Sequence, residues 1–214
     1  MAKSRNRATT EVNAGSMADI AFLLLIFFLV TTTIANDKGI AMLLPPKPDP
    51  NVPPPEVSKN DRNIFKILAN SQDRLLVEDE PWEDNPEVLK EEIKKFILNF
   101  GDPGPEGQDI YNSLPPKLKA YVSANGRRQD SSQDPTEAVV SFKAQRGTSY
   151  KLYIEVLDAI NSAYNEVYGE RVGITGEEFL ALDKDDPIQK DLYNKARKDI
   201  PRAISIAEPD KGMR

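Results

Sequence analysis

The longest apolar run of the chain lies near its start, at residues 17–35. An α-helix rises ~1.5 Å per residue and the hydrocarbon core of a bilayer is ~30 Å thick, so about 20 residues are needed to cross it. The run reaches that length when it is extended upstream through Val12 and Ala14. The pattern therefore predicts a single transmembrane helix over residues 12–35.

The charges that flank this run predict its orientation. Lys3, Arg5 and Arg7 precede it with a single acid, Glu11, whereas residues 36–39 after it carry no positive excess. Lysine and arginine are enriched on the cytoplasmic side of membrane helices. We therefore expect residues 1–11 to be cytoplasmic and the rest of the chain to lie outside the inner membrane.

A cleaved signal peptide is the alternative interpretation of the same segment. A basic start, an apolar stretch and the small residue Ala35 are typical of such a peptide. Glu11 and Asp19 are unusual in a signal sequence, and residues 1–16 make a long basic region. We therefore favour a retained helix.

A proline-rich segment follows the apolar run. Residues 45–55 contain seven prolines in eleven positions. An extended polyproline conformation with ~3.1 Å per residue would span roughly 34 Å. We therefore predict a linker over residues 36–60, either a semi-rigid spacer or a plain disordered connection.

Alternating and helical patterns beyond the linker predict a small folded domain. Two β-rich runs, 62–69 and 74–79, are joined by polar residues 70–73 and predict a hairpin. Helix signals then begin at Asn85 and end at Gly101. Further along the chain, the pattern predicts a strand over 138–143, a helix from Ser149 to Gly169 and a strand over 203–207.

The order ββα-βα-β predicts an α+β domain over residues 61–208, with helices packed on one face of a mixed sheet. Two stretches, about 101–136 and 169–200, are predicted insertions into this core. Only residues 118–124 suggest order in the first insertion, and Thr175 with Glu178 predicts a capping box in the second. Residues 209–214 form a tail.

Composition excludes several classes of function. The 28 Lys and Arg residues against 34 Asp and Glu residues leave a net charge of −6, so the chain has no overall basic field for nucleic acid. The absence of His and Cys excludes zinc sites built on those ligands, cysteine nucleophiles, histidine triads and disulfides. Residues 183–186 lack the glycine and the acidic end of a calcium loop. We therefore predict no enzyme activity, no metal and no cofactor.

Asp19 is the candidate functional residue, because it is the only ionisable side chain in the predicted membrane helix. A carboxylate at the bilayer centre costs ~2.5–3.5 kcal/mol, so a simple anchor has no need of it. Lipid disfavours the charged form, and we expect Asp19 to exchange protons along a path lined by protein. The alternative is that Asp19, near the cytoplasmic end, reaches the lipid headgroups.

Polar residues on either side of Asp19 are candidates for lining such a path. Thr31, Thr32 and Thr33 form a hydroxyl cluster at the far end of the run. Threonine hydroxyls can equally bond to their own helix backbone, which is the alternative.

Three segments resemble the ExbD/TolR family of biopolymer transport proteins. Residues 13–28 (NAGSMADIAFLLLIFF) resemble its N-terminal signature, and residues 138–159 (AVVSFKAQRGTSYKLYIEVLDA) resemble the strand, turn and helix of its periplasmic domain. Leu44-Pro45-Pro46 is a third similarity.

Within the first segment, Asp19 matches the intramembrane aspartate of the family. Asn13 occupies the polar position six residues earlier, whereas Ser16 stands where the better-known members carry proline. The resemblance implies that Asp19 translocates protons. Asn13, Ser16 and the three threonines are then candidates for the polar lining.

The resemblance also implies partners and a location. It implies a single-pass subunit of the bacterial inner membrane with a periplasmic C-terminal domain, working as a homodimer with a multi-spanning ExbB/TolQ-type protein. That complex would use the proton motive force to drive a TonB-like or TolA-like protein for outer-membrane transport.

A second class of function stays open from the residues alone. The chain would then be an anchored or secreted envelope-binding module that contacts peptidoglycan and has no proton role. Four tyrosines are candidates for sugar contact, although their helical spacing suits core packing better. They are Tyr150, Tyr153, Tyr164 and Tyr168.

Overall fold

The computed structural model describes residues 14–31, 60–83 and 85–207. The predicted cytoplasmic segment 1–11, nearly all of the predicted linker 36–60 and the tail 209–214 lie outside these residues. The chain divides into two units, Met1–Pro55 and Glu56–Arg214.

The first unit contributes one described element, helix α1 (Ala14–Thr31). Its 18 residues lie within the predicted span 12–35, whose remaining residues are outside the described part of the chain. By length and apolar character together, no helix in the described residues qualifies as one that could cross a membrane. The transmembrane assignment stays a prediction.

The second unit is built on a five-stranded sheet with the strand order β3-β2-β1-β4-β5. Strands β1, β2 and β3 are antiparallel neighbours, whereas β1, β4 and β5 run parallel. The mixed sheet is therefore confirmed, with the unpredicted β3 added at one edge. The strands are β1 (Ile64–Ala69), β2 (Leu75–Val77), β3 (Glu80–Trp82), β4 (Val139–Ala144) and β5 (Ile204–Ala207).

Six helices accompany this sheet in the described residues. They are α2 (Pro86–Ile97), α3 (Pro105–Ser113), α4 (Pro116–Asn125), α5 (Tyr150–Val172), α6 (Gly176–Leu180) and α7 (Pro187–Arg197).

Helices α2 and α5 pack on one face of the sheet. The Phe65 ring of β1 lies 5.2 Å from the Phe96 ring of α2, and the Phe142 ring of β4 lies 5.4 Å from the Tyr153 ring of α5. Side chains alternate along a strand, so Leu68 points to the opposite face of β1 from Phe65. That face is less covered, and Leu68 is 36% exposed. The small α+β fold is confirmed.

The helix signals of the sequence place the starts of α2 and α5 correctly but not their ends. The Asn85 and Ser149 side chains accept hydrogen bonds from Val88 N (3.1 Å) and Leu152 N (3.2 Å) as N-caps. Helix α2 ends at Ile97, before the predicted stop at Gly101. Helix α5 continues through Gly169, so the predicted end there is wrong.

The first predicted insertion is more ordered than the sequence suggested. It contains α3, which was not predicted, and α4, which includes the predicted residues 118–124. Both helices begin with proline at their first position, where the missing N–H costs nothing. They are ordered because they bury apolar side chains in the common core, namely Ile110, Leu114, Leu118 and Val122.

The second predicted insertion also folds into helices. The capping box is confirmed: Thr175 Oγ1 accepts from Glu178 N (3.1 Å), and the Glu178 carboxylate accepts from Thr175 N (2.8 Å). Helix α7 was not predicted, and Asp186 caps it by accepting from Ile188 N (2.8 Å). Buried Phe179 and Ala196 attach the two helices to the core.

Candidate functional site

Asp19 lies in the first half of α1 and is exposed to solvent. The helix is rich in alanine and leucine, which are good helix formers, and Asp19 is its only ionisable residue. The site therefore consists of one carboxyl group on an otherwise uncharged helix.

Apolar side chains occur on every side of α1. At 100° per residue, consecutive positions 22–28 cover the whole circumference of the helix. A helix that is apolar on every side normally has its large side chains buried, either in a protein core or in lipid. Here nine of them are between 41% and 63% exposed: Met17, Ile20, Phe22, Leu23, Leu24, Leu25, Ile26, Phe27 and Phe28.

Only some of the predicted polar lining falls within the described residues. Ser16 belongs to α1 and precedes Asp19 by three residues. Thr31 lies twelve residues further on, or ~18 Å along the axis at ~1.5 Å per residue. Asn13, Thr32 and Thr33 lie outside the described residues.

The four candidate tyrosines do not form a common sugar-binding surface. Tyr164 and Tyr168 are completely buried, and their hydroxyls donate to Ala203 O (3.2 Å) and Ile200 O (3.0 Å). Burial raises the pKa of both phenols. Tyr153 packs against Phe142, and Tyr150 is 78% exposed. Core packing therefore explains three of the four.

The structure reveals a group of charges around a buried lysine that the sequence pattern did not show. Lys94 is only 5% exposed, and its Nζ contacts Glu166 Oε2 at 3.2 Å and Glu170 Oε2 at 3.1 Å. Glu166 also contacts Lys90 (3.1 Å), and Glu170 contacts Lys117 (2.9 Å). In a single sequence these residues are indistinguishable from solvated charges on helix surfaces.

The electrostatics of this group follow from its pairing. Burial by itself would lower the pKa of Lys94 and raise that of Glu166. The hydrogen bonds and opposite charges outweigh burial, so the pKa of Lys94 is raised and that of Glu166 is lowered. Lys94 and Glu166 are thus kept charged and paired, which is the arrangement of a structural ion cluster.

No group of three or more acidic residues suited to a metal ion occurs in the described residues. The aspartates at 183–186 have local structural roles instead. Asp183 accepts a hydrogen bond from Asp185 N (2.9 Å), and Asp186 caps α7.

Comparison with known families assigns the chain that contains this apolar helix and this sheet to a family. The family described as biopolymer transport protein ExbD/TolR matches residues 5–172 of the 214. This match includes α1 with Asp19 and every element from β1 to the end of α5. The chain belongs to the ExbD/TolR family.

Membership in the ExbD/TolR family supports a general role in energy transduction for biopolymer transport. The match ends at residue 172, so α6, α7 and β5 lie beyond it. No curated protein and no solved structure matches the chain. The family assignment therefore rests on the family match itself.

Proposed function

We propose that this ExbD/TolR protein is the proton-coupled subunit of an inner-membrane energy-transducing complex, and that Asp19 carries the proton. One observation supports this most directly. In a member of a transport family, the only ionisable group of an all-round apolar helix is a carboxylic acid.

The proposal has residues 12–35 crossing the inner membrane, with the N-terminus in the cytoplasm and the α+β domain in the periplasm. The apolar run, the basic residues before it and the family membership support this topology. The exposed apolar side chains of α1 are also of the kind that lipid or a membrane partner covers.

Protonation of Asp19 would change the environment that α1 prefers. A neutral carboxylic acid tolerates an apolar environment, whereas a carboxylate needs water or a polar partner. Each charge that crosses the full membrane potential is worth ~2.3 kcal/mol per 100 mV. Loading on one side and release on the other would therefore supply free energy for movement of the helix.

A single helix cannot enclose a path for protons, so the mechanism requires a multi-spanning partner of the ExbB/TolQ type. The driven protein would be a TonB-like or TolA-like protein that crosses the periplasm for outer-membrane transport. The proposed complex contains a homodimer of this chain and therefore two Asp19 side chains. Ser16, Asn13 and the three threonines are the proposed polar lining.

The test is Asp19→Asn, which keeps the size and polarity of the side chain but cannot release a proton. We expect gradient-dependent transport to be abolished, while membrane insertion and copurification of the multi-spanning partner stay normal. Ala18→Asn is the matched control, because it adds the same amide to the neighbouring position of α1 and leaves the carboxyl group of Asp19 in place.

Full transport by the Asp19→Asn protein, with normal insertion, would refute the proton role. The chain would then be an envelope-anchored binding module. Copurification from mild detergent, followed by identification of the bound proteins, distinguishes a TonB-like from a TolA-like system.

A further inference from the structure

A cleft of about 540 Å³ lies in the α+β domain, beside the edge strand β3. One wall is the β2–β3 hairpin, and the others are the second half of α2 and the segment after α4. None of the residues that line it belongs to α1, so this cleft is separate from the proposed proton site.

The floor of the cleft is apolar and aromatic. It contains Phe65 of β1, Val77 of β2 and Phe96 of α2, all buried to 5% exposure, together with partly buried Trp82 of β3. Such a floor fits the methylene chain of a lysine or arginine, and aromatic faces attract the cationic group itself.

Trp82 adds a specific polar feature. Its Nε1–H is buried and has no hydrogen-bond acceptor among the described residues. A buried donor without a partner is destabilising. A carbonyl oxygen of a ligand in the cleft would supply the missing acceptor if the ligand displaced the groups that cover this N–H.

The cations on the cleft wall already have partners. Arg62 contacts Asp102 at 3.0 Å, Lys95 contacts Glu92 at 2.5 Å, and Arg128 contacts Asp130 at 2.7 Å. These pairs neutralise both signs of charge, so they leave no positive charge available for an anionic ligand.

Two carboxylates of the cleft, Glu78 and Glu80, form no salt bridge within the described residues, although the charge of Lys66 acts on Glu78. Glu78 accepts a hydrogen bond from Lys66 N at 2.5 Å, which fixes its carboxylate beside the sheet. Desolvation by its surroundings raises the pKa of Glu78, and an added cation would relieve that cost. The surplus charge of the cleft is thus negative.

The backbone at this hairpin is also unusual. Glu78 and Asp79 both have positive φ, at 50° and 66°. Glycine and asparagine are the usual residues in that left-handed region, where other side chains are sterically disfavoured. A glutamate at position 78 is therefore costly for the turn itself, yet it supplies a carboxylate to the cleft.

We propose that this cleft binds an extended basic peptide segment of a partner protein. A lysine or arginine of the segment lies along the aromatic floor with its cation beside Glu78 and Glu80, and a backbone carbonyl accepts from Trp82 Nε1–H. Charge complementarity selects this occupant over an acidic peptide or an uncharged sugar polymer.

Trp82 gives a direct measurement, because it is the only tryptophan of the chain. Purified full-length protein is titrated with a short peptide of alternating lysine and alanine while tryptophan fluorescence is recorded. We expect a saturable change that weakens at high ionic strength, since exposed charges are screened by salt. The matched peptide of alternating glutamate and alanine should give no saturable change.

The variant Glu78→Gln/Glu80→Gln removes both unpaired charges and keeps the acceptor for Lys66 N. We expect its affinity for the lysine peptide to fall roughly tenfold, which corresponds to about 1.4 kcal/mol. The control Asp79→Asn/Glu83→Gln makes the same change in net charge on the same hairpin with residues that do not line the cleft, and should bind normally.

Calorimetric titration of the same proteins detects a peptide that binds without changing the tryptophan fluorescence. Equal affinities of the two double variants, equal binding of the glutamate peptide, or no saturable binding by either method would overturn the proposal. Since Asp19 takes no part in the cleft, these results leave the proton role to its own test.

Discussion

Single glycines decide how closely the last part of α5 and the segment after it approach each other. A Cβ atom added to Gly169 would lie 2.6 Å from Thr175 O, well inside van der Waals contact. The helix instead ends at Val172 and is followed by Gly173, whose φ of 81° lies in the left-handed region that favours glycine. Gly169 is therefore a packing residue and not a helix terminator.

Gly169→Ala is expected to destabilise the domain. Alanine favours a helix over glycine by up to ~1 kcal/mol, but the clash with the Thr175 backbone should outweigh this and leave a net loss of about 1–3 kcal/mol. Urea denaturation measures the change. Gly104→Ala is the control, because nothing lies within 4 Å of its added Cβ, and we expect a change below ~0.5 kcal/mol. A Gly169→Ala protein as stable as the wild type would contradict this account.

Helices α2, α4 and α5 are held together by the ion cluster around Lys94 as well as by apolar packing. Lys90 and Lys94 come from α2, Lys117 from α4, and Glu166 and Glu170 from α5. Each glutamate contacts two lysines, and Lys94 contacts both glutamates. Substitutions of different members should therefore lower the free energy of unfolding by different amounts.

The glutamates should matter more than the central lysine. Lys94→Met leaves Glu166 paired with Lys90 and Glu170 paired with Lys117, so we expect a loss below about 1.5 kcal/mol. Glu166→Gln/Glu170→Gln leaves the buried Lys94 without a carboxylate and should cost about 3 kcal/mol. Chemical denaturation compares the two proteins, and the reverse order of stability would refute the pairing scheme.

The pH dependence of unfolding provides a second check on the same cluster. The pKa of Glu166 is lowered in the folded state, so its contribution is present above its ordinary value of 4.5 and is lost as the pH falls below it. The pKa values of Lys90 and Lys94 are raised, so their contribution is complete below 10.5 and is lost as the pH rises above it. In Lys94→Met, the loss at alkaline pH should shrink.

The whole molecule consists of two units with different physical character. The unit Met1–Pro55 carries the apolar helix and the proline-rich sequence, and the unit Glu56–Arg214 contains the hydrophobic core of the described residues. The proposed function has residues 1–11 in the cytoplasm, the apolar helix in the membrane and the second unit in the periplasm.

The chain has no cysteine, so an introduced cysteine can be labelled with no background from other thiols of this protein. In cells whose outer membrane is permeabilised and whose inner membrane is intact, Gly104→Cys should react with a thiol reagent that cannot cross the inner membrane. Position 104 is exposed and unobstructed. Ser4→Cys should react only after the inner membrane is opened. Labelling of both positions from outside, or of neither, would contradict the proposed orientation.

Local patterns were sufficient for much of the fold. The hairpin of β1 and β2, the starts of α2 and α5, the capping box at Thr175 and the strands β4 and β5 all follow from signals within a few residues. The helices α3 and α7 were missed because their order depends on burial against distant residues. Strand β3 was missed because it has three residues, one of them Pro81.

Three features follow from the amino-acid sequence alone, because covalent neighbours and periodicity carry that information: the one acid in an apolar run, the family resemblance and the α+β order of elements. The folded domain was needed to show that Lys94 is buried between two glutamates, that Tyr164 and Tyr168 belong to the core, and that Glu78, Glu80 and Trp82 line one cleft. Burial and pairing depend on residues far apart in the chain, so no local pattern can specify them.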